Sequence, residues 1–288
     1  MPDVHALLSA SSSKQWLHCP PSVRLQEGFP NESSVYAAEG TFAHEVCEYK
    51  VRKYLHERVK RPQSEEYDTE EIEQITDVYA EFVISIIEKM KENGCEPLAF
   101  VEERVDYSHI APSGFGTADM LIIGKDEHGR GLLHVCDFKT GAGVFVDADH
   151  NSQMMLYALG GLAAYGFLYD VEIVRMSIIQ PRLDNISTCE MPVSELNAWA
   201  ESIKPIAVMA FEGKGEQQPG DWCRFCRAIN IDLIPKGSIQ WGTSFLLFGI
   251  KLFSASLVPE PSLKEVLYLQ QSLPASSFLA RSFLSQFG

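Results

Sequence analysis

Residues 116–139 read GTADMLIIGKDEHGRGLLHVCDFK, and this stretch decides the fold. Two apolar runs, at 118–123 and 132–138, are bounded by turn-forming residues and predict β-strands. The segment between them, GKDEHGRG, is rich in glycine and charge, which is typical of a hairpin connection. The sequence therefore predicts two neighbouring strands at the centre of the domain.

The end of this hairpin carries charged residues in a pattern that can support chemistry. Side chains at positions i and i+2 of a strand lie on one face, so Asp137 and Lys139 project together while Phe138 turns to the core. Asp119 enters the partner strand and can approach them. We therefore expect two carboxylates and one ammonium in a single pocket.

Helical and extended patterns surround the hairpin. We predict helices over residues 37–59, from 68 to about 94, over 150–165 and over 194–211, and strands over 98–105 and 171–180. Asp68 and Glu71 fit a capping box at the start of the second helix, Gly94 ends that helix, and Ser194 caps the last one. The order of elements predicts an α/β fold with a mixed central sheet flanked by helices.

Two carboxylates beside an amine suit the hydrolysis of phosphodiester bonds. Mg²⁺ and Mn²⁺ take oxygen ligands from one or two carboxylates and keep several waters. Such an ion polarises a phosphoryl oxygen and supplies an activated water. Lys139 can orient or deprotonate that water and can stabilise negative charge in the transition state.

The same motifs carry a resemblance to a known family. GTAD before an apolar strand, then DFKTG, then QMMLY, resembles the PD-(D/E)xK nuclease superfamily, in particular its RecB-like exonuclease branch. That branch has a helical GTxxHxxxE-like element, which corresponds here to GTFAHEVCE at 40–48. The resemblance implies a restriction-endonuclease-like core and a Mg²⁺- or Mn²⁺-dependent deoxyribonuclease, most readily an exonuclease. It also implies DNA as partner, and a role in phage or prophage recombination or repair beside recombination or replication proteins.

The resemblance also implies a role for each matching residue. The metal ligands it implies are His44, Asp119, Asp137 and the backbone carbonyl of Phe138. Lys139 corresponds to the catalytic lysine, and Gln153 and Tyr157 to supports of the site or contacts to DNA. Asp137 stands where many members of the superfamily have glutamate.

The cysteines suggest a reducing compartment and a second cofactor. Seven cysteines at irregular spacing, in a chain whose start does not resemble a secretion signal, do not fit a disulfide framework, so we expect a cytoplasmic protein. Cys19, Cys223 and Cys226 resemble three of the four cysteines that hold a [4Fe-4S] cluster in iron–sulfur members of this branch. Four thiolates are the usual ligand set, and no cysteine follows Cys226.

Three interpretations of this departure stay open. The C-terminal segment has been replaced and the cluster is incomplete; or a fourth ligand comes from elsewhere, such as His18 or Cys47; or Cys223 and Cys226 are a bare CxxC or half of a zinc site. Only seven charged residues lie between 229 and 288. We therefore predict a nuclease domain over 1–228 and an atypical, poorly structured segment over 229–288.

Composition limits the remaining function classes. The net charge of -15 argues against a general nucleic-acid coat protein, although a local basic groove remains compatible with a nuclease. The basic residues that could contact phosphates, or could instead form a solvated helix face, are Arg52, Lys53, Arg58, Lys60 and Arg61. Trp16, Trp222 and Phe225 either pack around the cysteines or stack on bases.

No run of about 18 apolar residues is present, so we expect no membrane partner. Two other functions remain as alternatives. One is a catalytically disabled nuclease fold that binds DNA or protein, and the other is a zinc or redox protein built on the CxxC.

Overall fold

A five-stranded mixed β-sheet forms the centre of the protein, in the order β1-β2-β3-β4-β5. This computed structural model describes residues 6–30 and 35–229, so the predicted segment 229–288 lies, apart from its first residue, outside the described residues. The strands are β1 Leu98–Asp106, β2 Phe115–Lys125, β3 Gly131–Phe138, β4 Val171–Gln180 and β5 Asn185–Pro192. The helices are α1 Ser13–His18, α2 Ser22–Gln26, α3 Val35–Tyr54, α4 Glu70–Glu92, α5 Ser152–Tyr165 and α6 Val193–Glu212. The prediction of an α/β fold with a mixed sheet flanked by helices is confirmed.

The sheet is antiparallel except between β3 and β4, which run parallel and are joined through α5. One face packs against α5 and α6, and the other against α3 and α4. The predicted hairpin is confirmed, with Lys125 paired to Gly131 across its closed end. Among the described residues, no helix is both long and apolar enough to cross a membrane.

The sequence analysis missed β5, the edge strand NISTCEMP. Most of its side chains are at least partly exposed, because only one neighbour pairs with it and helices do not cover both of its faces. Such a strand lacks the apolar run that marks β3, all of whose residues are buried. The short helices α1 and α2 were missed as well.

Several predicted helix ends were wrong in detail. Thr69, not Asp68, caps α4, because its side chain accepts a hydrogen bond from the Ile72 N–H. Asp68 instead forms an ion pair with Arg61 at 2.6 Å. Ser194 lies inside α6, whose N-cap position is Pro192.

The other two helix ends depend on left-handed residues. Gly94, with a φ of 78°, follows the end of α4 as predicted. Helix α3 ends at Tyr54 rather than near residue 59, since His56 adopts a left-handed φ of 63° and the chain leaves the helix there.

Close packing of α5 on the sheet depends on glycine. A Cβ at Gly160 would lie 2.7 Å from the Val105 Cβ, so only glycine fits at this crossing. A Cβ at Gly116 would lie 2.7 Å from the ring of Tyr157, which therefore rests directly on β2. These contacts hold α5 over the strands that carry Asp119 and Asp137.

Candidate metal centre

Two acidic residues face each other across β1 and β2. The register around them is set by two backbone pairs, Val101 with Met120 and Glu103 with Ala118. This register places Glu102 opposite Asp119. Glu102 has a left-handed φ of 51°, which is rare for a residue with a side chain and marks a local distortion of the strand.

The alternation of side chains between the two faces of the sheet is also interrupted in β2, at Asp119. Ala118 and Leu121 pack in the cluster beneath α5, whereas Met120 packs in the cluster beneath α3 and α4. In a regular strand Ala118 and Met120 would share a face. The strand therefore rotates at Asp119, and this rotation turns its carboxylate toward α3.

His44, Glu102 and Asp119 form a compact group of possible metal ligands. One ligand atom from each lies within 4.8 Å of the others. His44 Nδ1 is 3.4 Å from Asp119 Oδ2, and the same oxygen accepts a 2.7 Å hydrogen bond from the Phe138 N–H. The edge of the His44 ring packs on Phe138, with the ring centroids 5.4 Å apart.

A second group lies at the end of β3. Lys139 Nζ is 2.7 Å from Asp137 Oδ2. Gln153 on α5 contacts both residues: its amide nitrogen donates to Asp137 Oδ1 at 3.0 Å, and its oxygen accepts from Lys139 Nζ at 3.2 Å. Tyr157, one turn along α5, has its hydroxyl 3.4 Å from the same amide nitrogen. Gln153 therefore holds the lysine and the aspartate in one arrangement.

The structure thus brings together most of the residues singled out in the sequence. His44 and Asp119 share one group of ligand atoms, and Asp137, Lys139, Gln153 and Tyr157 share another. Phe138 contributes its N–H to Asp119 and its ring to the support of His44.

Sequence reasoning missed Glu102. Two consecutive glutamates within a strand, VEERV, are a usable signal, because alternation places them on opposite faces of the sheet. Glu103 lies on the other face, where its carboxylate accepts a hydrogen bond from the Tyr165 hydroxyl on α5.

The charges of the two groups shift one another's protonation. Burial acts to lower the pKa of His44, but Asp119, with smaller effects of Asp137 and Glu102, outweighs burial and raises it to about 9. Burial, together with the charge of Asp119, raises the pKa of Glu102 to about 7. Protons on His44 and Glu102 therefore offset part of the negative charge of the carboxylates in the site.

The pKa values of the two aspartates in the site shift in opposite directions. Burial acts to raise the pKa of Asp119, but His44, Lys139 and the Phe138 N–H hold it below the usual value. Burial raises the pKa of Asp137, and the charge of Lys139 only partly opposes this. The Lys139 pKa lies above its usual value, because the two aspartates outweigh the effect of its own burial, so its side chain is an ammonium.

The donor set fits a divalent cation of the Mg²⁺ or Mn²⁺ type. Two carboxylates and one imidazole supply oxygen and nitrogen ligands, which suit these ions and do not suit soft, thiol-seeking ones. The separations within 4.8 Å are close to those that a single ion with bonds of about 2.1 Å can bridge after small side-chain movements. A bound cation would replace the protons now held by His44 and Glu102.

The three cysteines predicted to hold a cofactor also meet. Cys19, Cys223 and Cys226 line one pocket, formed by the end of α1 and the 3-10 turn at Asp221–Phe225. Neither His18 nor Cys47, the two residues considered as a fourth ligand, lines this pocket. His18 stacks on Trp222 with ring centroids 4.1 Å apart, and Cys47 is buried beneath the opposite face of the sheet.

The predicted phosphate and base contacts are only partly available. Arg52 pairs with Glu48 and Glu57, and Arg61 with two further carboxylates, so these arginines are already neutralised. Trp16 is only 1% exposed and packs in the core, so it cannot stack on a base.

One aromatic residue on the chain leading away from Lys139 is exposed. Phe145 lies on the loop between Lys139 and α5, and 61% of its surface is exposed. The loop is held by Gln180, whose amide donates to the carbonyls of Gly141 and Val144 at 2.6 and 2.8 Å. Phe145 is therefore an exposed ring on an anchored backbone.

Comparison with known proteins identifies a family without an assigned activity. A protein-family profile described as "Protein of unknown function (DUF2800)" matches residues 5–232. A solved structure described as "Crystal structure of SSO0001" aligns over 76% of this chain and 82% of that chain, with 14% sequence identity and a TM-score of 0.32. A similarity of this size supports no statement about fold or function.

Proposed function

We propose that this chain, which belongs to the DUF2800 family, is a metal-dependent deoxyribonuclease that hydrolyses phosphodiester bonds. One observation carries the proposal: His44, Glu102 and Asp119 offer ligand atoms within 4.8 Å of one another, beside the ion pair between buried Asp137 and partly exposed Lys139. A cluster of hard ligands next to a fixed ammonium is what hydrolysis of a phosphate diester requires.

The ligands of the ion in this proposal are His44, Glu102, Asp119 and Asp137. A bound Mg²⁺ or Mn²⁺ would polarise the phosphoryl oxygen and lower the pKa of a bound water. Asp137 is already held by Gln153 and Lys139, so its carboxylate needs little reorganisation to meet substrate and cation.

Lys139 acts in this proposal as a charge-stabilising group. Its raised pKa keeps it protonated, so it faces the phosphate as an ammonium and offsets the charge that develops on phosphorus oxygens. Of the two roles predicted from sequence, general base and charge stabilisation, the raised pKa favours the second.

DNA is the substrate that we propose, with cleavage from ends, in recombination or repair. Phe145 supplies an exposed ring for stacking on a base near the scissile phosphate, a contact that tolerates any sequence. The net charge of -15 makes binding depend on the cation and on such local contacts rather than on general attraction to phosphates.

A cleavage assay with purified full-length protein tests the function. We expect Mn²⁺ to support degradation of linear DNA, EDTA to abolish it, and Lys139→Ala to lower the rate by at least about 100-fold, the size of effect typical for loss of a transition-state contact. Lys125→Ala, a change at the hairpin on the closed end of β2, is the matched control and should cleave at the wild-type rate.

Three outcomes of this assay would contradict the proposal. Wild-type protein that binds Mn²⁺ but leaves linear and circular DNA intact would indicate a disabled nuclease fold that serves as a binding module. Equal cleavage by wild-type protein and Lys139→Ala would indicate a contaminating enzyme. Equal rates on linear and closed circular DNA would remove the preference for ends while leaving the nuclease activity in place.

A further inference from the structure

The cysteine pocket is built from two turns with the same backbone hydrogen bond. In the turn that begins at Cys223, the Cys226 N–H donates to the Cys223 carbonyl at 3.0 Å. In the turn that begins at Cys19, the Ser22 N–H donates to the Cys19 carbonyl at 2.9 Å. Residues at i and i+3 of both turns line the pocket, so the site has four positions of which three are cysteine.

Ser22 occupies the fourth position. It is only 2% exposed, yet its hydroxyl oxygen has no hydrogen-bond partner among the described residues. A buried hydroxyl without a partner is unfavourable unless something else satisfies it. No cysteine and no histidine follows Cys226 in the sequence, so the remaining chain offers no thiolate or imidazole for this position.

The spacing of the sulfurs favours a group larger than a single ion. Sulfurs that share one zinc ion, at Zn–S distances of about 2.3 Å, lie about 3.8 Å apart. Cys19, Cys223 and Cys226 do not all lie within 4.8 Å of one another, since His44, Glu102 and Asp119 are the only such group in the described part of the chain. A polynuclear cluster holds its thiolate ligands farther apart than a single ion does.

We propose that Cys19, Cys223, Cys226 and the Ser22 hydroxyl together ligate an iron–sulfur cluster, with serine oxygen in place of the fourth thiolate. The site fits such a cluster in its three thiols and its one unsatisfied buried oxygen. The cluster would join α1 and α2 to the chain at Asp221–Phe225.

Anaerobic reconstitution of the full-length protein with Fe²⁺ and sulfide tests this ligand set. We expect about four irons and an equal amount of sulfide per wild-type chain after desalting. Ser22→Cys should hold the same iron with a shifted visible absorption spectrum, because a fourth thiolate changes the charge-transfer bands. Ser22→Ala should lose at least a quarter of the iron and change its electron paramagnetic resonance signal.

Ser13→Ala is the matched control. Ser13 is as buried as Ser22, but its hydroxyl already bonds to Ser152 at 2.6 Å, so its loss should leave iron content and spectrum unchanged. Circular dichroism checks the fold of each variant. If Ser22→Ala does not fold, the Ser22→Cys spectrum decides the question alone.

Wild-type protein that retains neither iron nor sulfide after reconstitution and desalting would overturn the cluster. A Ser22→Cys spectrum identical to that of wild-type protein would overturn the role of Ser22. Both readouts are metal content and spectra, so neither depends on whether the protein cleaves DNA.

Discussion

The position of the Glu102 carboxylate depends on a left-handed backbone conformation. Its φ of 51° costs conformational energy, of the order of 1–3 kcal/mol for a residue held outside the common regions. Its carboxyl also has a pKa raised to about 7 by burial and by Asp119. A strained acid with a raised pKa, beside His44 and Asp119, is typical of a functional site.

Glu102→Gln should weaken Mn²⁺ binding by at least about 10-fold, because the amide removes one negative ligand from the cluster. Isothermal titration calorimetry measures the effect. Glu103→Gln is the control, since the neighbouring carboxylate bonds to Tyr165 on the other side of the strand and should bind Mn²⁺ as the wild type does. Equal Kd values for wild type and Glu102→Gln would exclude Glu102 as a ligand.

Phe145→Ala should weaken binding of a single-stranded oligonucleotide by about 5-fold or more, the effect of losing one stacked base. Fluorescence anisotropy with Ca²⁺ in place of Mn²⁺ measures binding without cleavage. Phe167→Ala is the control, because Phe167 is 74% exposed but follows α5 at the end away from Gln153. A similar loss in both variants would indicate a general effect of surface aromatic residues.

At the scale of elements, α5 decides whether the site is assembled. It carries Gln153 at its first turn and Tyr157 at its second, and it crosses the sheet at Gly160. The Asn151 side chain caps it by accepting from the Gln153 and Met154 N–H groups. Movement of this helix would separate Gln153 from Asp137 and Lys139 together.

Gly160→Ala should lower Tm by about 2–6 °C, although alanine favours helix by about 1 kcal/mol, because the new Cβ meets Val105 at 2.7 Å and the Asp106 backbone nitrogen at 3.3 Å. Gly161→Ala is the matched control. Its Cβ would meet the side-chain ends of Leu133, at 3.2 Å, and of Leu121, at 3.4 Å, so Tm should stay constant or rise. Differential scanning calorimetry measures Tm. An equal rise of Tm in both variants would show that α5 does not pack closely on the sheet at Gly160.

For the whole molecule, the candidate metal centre should couple stability to pH. His44 and Glu102 both have folded-state pKa values above their usual ones, at about 9 and about 7. A raised pKa contributes stability that is lost as pH rises from the usual to the folded value, so the metal-free protein should lose the Glu102 contribution between about pH 4.5 and 7 and the His44 contribution between about pH 6.5 and 9. A cation requires both groups deprotonated, so its affinity should increase over the same intervals.

The Tm increase caused by 1–5 mM Mn²⁺ (about the concentration range for a weakly held ion) should therefore be larger at pH 8.5 than at pH 6. Thermal unfolding at a series of pH values measures it. His44→Gln, which cannot carry the proton, should flatten the upper part of this dependence. A Tm shift that is independent of pH would mean that the ion binds elsewhere.

The local sequence determined the central hairpin, the strand β4 and the joint projection of Asp137 and Lys139. Apolar runs, glycine-rich turns and the two-residue period of a strand act within a few residues, so they can be read without coordinates. The hairpin also predicted the approach of Asp119 to Asp137 and Lys139, whereas the predicted places of His44 and Gln153 in the site came from the resemblance, since no short-range pattern links them to the hairpin.

Only the tertiary structure decided which side chains share a site. The rotation of β2 at Asp119, the left-handed Glu102 opposite it and the burial of Ser22 beside three cysteines depend on cross-strand and helix–sheet contacts. The same contacts removed Trp16 and two arginines from the predicted DNA surface, because burial and ion pairing depend on neighbours that are distant in sequence. The period of the sequence indicates on which face of a helix or strand a residue lies, whereas tertiary packing determines which residues that face contacts.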